Sequence, residues 1–158
     1  MAQSKELYVI AHNIRSLHNV GAIFRTADSF GVSKIYLTGY TGVPTGKNAD
    51  KISKVALGAE GFVPWEQAKS AVRLIKKLKT QGVRIAVLEN NVRRETISLG
   101  KYKPKFPLAL LLGEETKGNT KALLDLADDI LEIPMYGKKE SLNVSVACGV
   151  ALFQLTKK

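Results

Sequence analysis

The stretch Leu131–Leu155, LEIPMYGKKESLNVSVACGVALFQL, decides how this chain folds. It opens on apolar residues, turns at Pro134 and Gly137, and then passes a polar run, Ser141-Leu142-Asn143-Val144-Ser145. Proline and glycine punctuate regular structure, so the pattern predicts a strand that ends near Ile133, followed by a turn. From Asn143 onward the sequence reads as a helix, with Ser141, Asn143 and Ser145 available as caps at its start. The helix is apolar on every side: Val144, Val146, Ala147, Val150, Ala151, Phe153 and Leu155 cannot all face one sheet. A second subunit or a fully internal position satisfies that demand; the expectation is a homodimer.

Working outward, the strand over Asp129–Ile133 follows a helix over Thr120–Ala127 and a strand over Pro107–Leu112. Before these come a strand over Val83–Leu88 and an amphipathic helix over Gln67–Thr80, with Ala68, Ala71, Val72, Ile75 and Leu78 on one face. Further back lie a brief strand over Phe62–Trp65, a short helix carrying Ile52, Val55 and Ala56, and a strand over Lys34–Thr38. The first strand covers Leu7–Ala11, and a helix follows with Val20, Ile23, Phe24, Ala27 and Phe30 at helical spacing and Gly31 at its stop. Between Leu88 and Pro107 the chain reads as a basic loop. Strands alternating with helices predict an α/β fold, a mostly parallel sheet flanked by helices.

The 158 residues fit one domain, 1–158. No apolar run approaches the roughly 20 residues that a membrane helix needs. The start, MAQSKELYVIAH, leads into a strand rather than a signal peptide. Cys148 is the sole cysteine, which excludes an intramolecular disulfide and a cysteine metal cluster; cytoplasmic residence is expected. His12 and His18, without an acid or cysteine cluster, give no reason to expect a metal. Twenty-four Lys and Arg against fourteen Asp and Glu leave a charge of +10, which favours a polyanionic partner such as nucleic acid. The cations fall in small groups, among them Arg73, Lys76, Lys77 and Lys79; Arg93 and Arg94; Lys101, Lys103 and Lys105; and Lys138 and Lys139.

TGYTGVPTGKN resembles a phosphate-binding P-loop only superficially, since Thr41 and Asn48 stand where glycine and a hydroxyl residue are required. Three other clusters carry more. In the first, HNIRSLHNVGAIFRTADSFG, Asn19 can cap a helix, Gly21 bares its first turn, and Arg25 lies off the apolar stripe. By itself Arg25 could equally form an i,i+3 ion pair with Asp28. The second, LALLLGEETKGNT, is a strand that exits through Gly113 into Glu114 and Glu115, at the kind of strand end where α/β sheets bind ligands. The third is the stretch quoted first.

In this order, Asn19-x-Gly21-x-x-x-Arg25-Thr26-Ala27, Gly113-x-Glu115-x-x-Gly118, Ile133-Pro134-Met135-x-Gly137 and Ser141-Leu142-Asn143-Val144-Ser145-x-Ala147 resemble the three motifs of the SpoU/TrmH branch of the SPOUT methyltransferases. The resemblance covers nearly the whole chain and implies a C-terminal deep trefoil knot, a homodimer and S-adenosylmethionine as cofactor. It implies methyl transfer to a ribose 2′-hydroxyl in tRNA or rRNA, with tRNA favoured because no added RNA-binding extension is evident. Carried over, Leu88, Glu89, Gly113, Ile133, Met135 and Leu142 form the cofactor pocket. Arg25, Ser141, Asn143, Asn19 and Glu115 form the catalytic set, with Asn143 and Glu115 holding loop geometry and Asn19. Arg25, Arg93, Arg94, Lys101 and Lys103 are the RNA-binding candidates. Family members often assign the matching arginine as general base, but a guanidinium stays protonated in proteins, so charge stabilisation suits it better. A non-catalytic RNA-binding protein on the same scaffold, or a base methyltransferase of the same superfamily, are the alternatives.

Overall fold

The computed structural model describes residues 5–158; the first four residues of the polar start lie outside the described residues. Seven strands form one sheet: β1 (Leu7–His12), β2 (Lys34–Thr38), β3 (Trp65–Ala68), β4 (Arg84–Leu88), β5 (Ile97–Ser98), β6 (Leu108–Leu112) and β7 (Asp129–Glu132). Their order is β3-β2-β1-β6-β4-β7-β5 and every pairing is parallel. The helices are α1 (Leu17–Ser29), α2 (Ala49–Ala56), α3 (Ala71–Thr80), α4 (Lys121–Leu126) and α5 (Val144–Thr156).

The apolar alternation of the strands sorts the core into two layers. Val9, Ala11, Leu108, Leu110 and Leu112 face α1, α2 and α5, packing against Phe24, Ile52 and Leu152. Ile10, Ala109 and Leu111 face the other way, onto Leu74, Ile75 and Leu78 of α3 and Leu123 of α4. β6 is buried along its whole length, as expected of a central parallel strand covered on both sides.

Most elements start and end within a residue or two of the sequence expectation. Two differ. The brief strand is Trp65–Ala68, not Phe62–Trp65, and Ser70, whose side chain accepts the Arg73 N–H, starts α3 at Ala71 instead of Gln67. Glu66 and Gln67 are exposed on this edge strand, so no apolar alternation marked it. The basic loop also contains a two-residue strand, β5, against β7. Near the N-terminus the cap of α1 is Ser16 rather than Asn19; Ser16 Oγ accepts the Asn19 N–H at 3.1 Å. Asn19 is buried inside the first turn, which frees its side chain for longer-range contacts.

Candidate active site at the carboxyl edge of the sheet

The three sequence clusters meet where β4, β6 and β7 end. Asn19 Nδ2 donates to Glu115 Oε1 at 3.2 Å, and Asn143 Nδ2 donates to Asn19 Oδ1 at 3.3 Å. One residue from each cluster thus joins a single hydrogen-bonded chain. Glu115 also accepts the backbone N–H groups of Arg15 at 3.3 Å and Ser16 at 3.4 Å, so one carboxylate ties the loop after β6 to the start of α1. Burial pushes the Glu115 carboxyl upward, but its own backbone N–H, Asn19, Arg15 and Ser16 outweigh that and hold it below the usual carboxylate range. Asn143 caps α5 as well: its Oδ1 accepts from the Ser145 N–H at 2.9 Å and the Val146 N–H at 3.4 Å.

Beside this chain lies a cavity of about 490 Å³, a size suited to a small-molecule ligand. Leu88, Leu112, Ile133, Leu142, Val144 and Ala147 give it apolar walls, and Glu89, Glu114, Glu115 and Glu140 outnumber the single cation, Lys117. A ligand with a flat apolar part and a positively charged part fits that lining. Two glycines shape it. A Cβ on Gly113 would lie 2.6 Å from Asn119 Cγ, and on Gly118, at φ +68°, it would lie 2.0 Å from Glu89 Oε1. Glu89 accepts from Asn119 N at 3.2 Å and Asn119 Nδ2 at 2.8 Å, yet burial raises its carboxyl above the usual range. Among the described residues Asn119 Oδ1 is buried without a partner, an unmet acceptor at the cavity wall.

The expected residues divide. Leu88, Glu89, Gly113, Ile133, Leu142, Ser141, Asn143 and Glu115 line the cavity. Met135 is half-buried and outside the lining, because the chain has already turned away after Ile133. Arg25 is exposed on α1, also outside the lining, and among the described residues it makes no ion pair with Asp28. Arg93 is exposed next to the lining residue Val92, whereas Arg94 is engaged at 2.7 Å by Asp125. Lys101 and Lys103 are exposed. Lys103 follows Tyr102, whose hydroxyl donates to Asp129 at the start of β7. Sequence reading missed Asn90 and Asn119; polar residues just past a strand end were the available signal. Among the described residues no group of His, Cys, Asp and Glu is placed to hold a metal ion, and no helix is long and apolar enough to cross a membrane.

A parallel α/β sheet with a ligand cavity at its central strand ends, closed by three motifs from distant parts of the chain, is the SPOUT kind of architecture. The chain belongs to the SpoU rRNA Methylase family, whose model matches residues 6–153. It is 32% identical over 152 residues to a tRNA (guanosine(18)-2'-O)-methyltransferase of Aquifex aeolicus, covering 96% of this chain and 69% of that protein. The AdoMet-bound rRNA methyltransferase from Sinorhizobium meliloti superposes with a TM-score of 0.86 at 28% identity, covering 96% of this chain and 56% of that one. A structure solved for insight into the 2-OH methylation of C/U34 on tRNA superposes with a TM-score of 0.81 at 25% identity, covering 98% of this chain and 99% of that one. The chain spans only 58–62% of the length of seven other curated relatives that it matches. S-adenosylmethionine is the cofactor that family membership brings, and the apolar walls and surplus carboxylates of the cavity suit its adenine and its cationic end.

Proposed function

We propose that this protein is an S-adenosylmethionine-dependent RNA methyltransferase that modifies a ribose 2′-hydroxyl, working on tRNA in the cytoplasm as a homodimer. The observation that carries the reading is the Asn143–Asn19–Glu115 chain, which joins all three motifs at the rim of the cavity. The tRNA preference is supported by the near-complete mutual coverage with the tRNA-directed structure and by the Aquifex aeolicus relative. A knotted C-terminal segment is supported by the insertion of β7 between β4 and β5, strands made earlier in the chain, before α5 returns to pack on α1.

When bound, S-adenosylmethionine supplies a methyl group already activated on sulfur. Leu88, Ile133 and Leu142 would hold its apolar part, and the carboxylates of the cavity would offset its positive charge. The asparagine–glutamate chain keeps the start of α1 and the two loops in fixed relation, so positioning supplies much of the acceleration. Ser141 at the cavity wall orients the ribose hydroxyl. Arg25 would stabilise the oxyanion that develops on the ribose 2′-oxygen, whose proton would pass to a substrate phosphate or to water.

Calorimetry with S-adenosylmethionine, followed by mass-spectrometric mapping of ribose methylation in total RNA with and without the gene, tests the reading. Binding in the cavity and the loss of one 2′-O-methyl group from a tRNA support it. Absence of binding leaves a non-catalytic RNA-binding protein, and loss of a base methyl leaves a base methyltransferase.

A further inference from the structure

Between β7 and α5 the chain makes an excursion whose two ends are fixed and whose tip is bare. Asn90 Nδ2 donates to the Ile133 carbonyl at 3.0 Å and to the Glu140 carbonyl at 3.3 Å, while Asn90 Oδ1 accepts the Ile133 N–H at 3.1 Å. Asn91 Nδ2 reaches the Glu140 carbonyl at 3.3 Å as well. Residues 134–139 therefore leave and rejoin the body at one point beside the cavity, which Glu140 and Ser141 line. At the tip stands Tyr136, 94% exposed, followed by Gly137, Lys138 and Lys139. Both lysines are exposed, and among the described residues neither takes part in an ion pair.

An aromatic ring without cover, next to two unpaired ammonium groups, suits one kind of occupant best. Single-stranded nucleic acid offers flat base faces for the ring and phosphates for the lysines. A duplex offers only phosphates, because its bases are already stacked. We propose that Tyr136, Lys138 and Lys139 form a docking tip for an unpaired nucleotide of the RNA substrate. The proposal rests on the RNA-methyltransferase reading above and deepens it by naming residues outside the three motif contacts that hold the substrate. Tyr136 acts here as a positioning residue.

The test uses the full chain with two RNA probes, a short stem-loop and a duplex of equal length, followed by fluorescence anisotropy over a salt series. Tyr136→Ala weakens stem-loop binding about 5- to 150-fold and leaves duplex binding unchanged, while Tyr136→Phe, which keeps the ring, binds like the wild type. The Lys138→Ala/Lys139→Ala double variant lowers the magnitude of the stem-loop salt slope by about 1.4. In methyl transfer the loss falls on KM rather than kcat, and S-adenosylmethionine affinity stays at the wild-type value. Equal loss on both probes, or no loss on either, overturns the proposal. So does sedimentation showing that Tyr136→Ala turns dimers into monomers, which places a second copy of the chain on the tip. A wild-type protein that binds no RNA overturns the RNA-methyltransferase reading itself; a wild type that methylates RNA beside an unimpaired Tyr136→Ala overturns only the docking tip.

Discussion

Arg25 and Glu89 put their charges to opposite uses. Arg25 is exposed, lies outside the cavity lining and pairs with no acid among the described residues, so its fork of N–H donors is available to substrate. Replacing it by lysine keeps a positive charge but loses the planar fork. Arg25→Lys is expected to slow methyl transfer about 100-fold or more while S-adenosylmethionine affinity, read by calorimetry, stays the same. Glu89 is held for its shape and hydrogen bonds, and its charge is a cost. Burial raises its carboxyl more than the two Asn119 donors lower it, so the folded state holds the proton more tightly than the unfolded chain does. Stability attributable to Glu89 is therefore greatest below the ordinary carboxylate range and declines as pH rises through the raised folded-state value. Glu89→Gln keeps an acceptor for Asn119 and removes that slope. Urea midpoints of the variant should match the wild type in mild acid and exceed it at neutral pH; the opposite order contradicts the burial argument.

At the scale of elements, α1 and α2 touch through a glycine. A Cβ on Gly21 would lie 2.6 Å from the Ile52 carbonyl oxygen and 2.9 Å from Val55 Cβ, so the obstruction includes backbone, which cannot swing aside. Alanine is the better helix former by about 1 kcal/mol, yet overpacking at such a contact costs about 1–3 kcal/mol. Gly21→Ala should therefore destabilise the protein in urea unfolding, and a stabilised variant would show that α2 yields. This contact also shows where sequence reading stops. The strands of the sheet centre were legible because apolar residues dominate β1, β4 and β6, and α5 because its apolar residues surround the axis despite Ser145 and Gln154. β3 was displaced because Glu66 and Gln67 face solvent on an edge strand, and β5 was missed because two residues carry no period. Within the site, motif order identified Asn19, Glu115 and Asn143, but their distances depend on contacts up to 124 positions apart along the chain. That Met135 falls outside the cavity lining was illegible for the same reason: nothing local says on which side of Ile133 the cavity closes.

At the scale of the whole molecule, α5 is both a core element and an unfinished surface. Cys148, Ala151, Leu152 and Leu155 are buried, while Val146, Val150 and Phe153, spaced i, i+4, i+7, form an outward apolar stripe at 52%, 41% and 62% exposure. The Phe153 ring meets Phe30 of the segment after α1 edge-on at 6.2 Å, so the stripe continues across two elements. Beside it opens a second, apolar hollow lined by Leu99, Ile133, Pro134, Val150 and Phe153. A continuous apolar surface of this kind is what a self-complementary interface covers. A charge at its centre must lose that cover, so Phe153→Asp is expected to sediment as a monomer. Twenty residues of the same chain line the cavity without Phe153, so the monomer should still bind the cofactor with wild-type affinity. Methyl transfer should not survive equally well. Arg25 lies outside its own chain's cavity, and α1, which carries it, packs against α5 at the proposed interface. If the reacting centre is assembled from a cavity and an arginine brought together across that interface, Phe153→Asp loses turnover while retaining cofactor binding. A monomeric variant with full methyl-transfer activity would show instead that one chain contains the entire reacting centre.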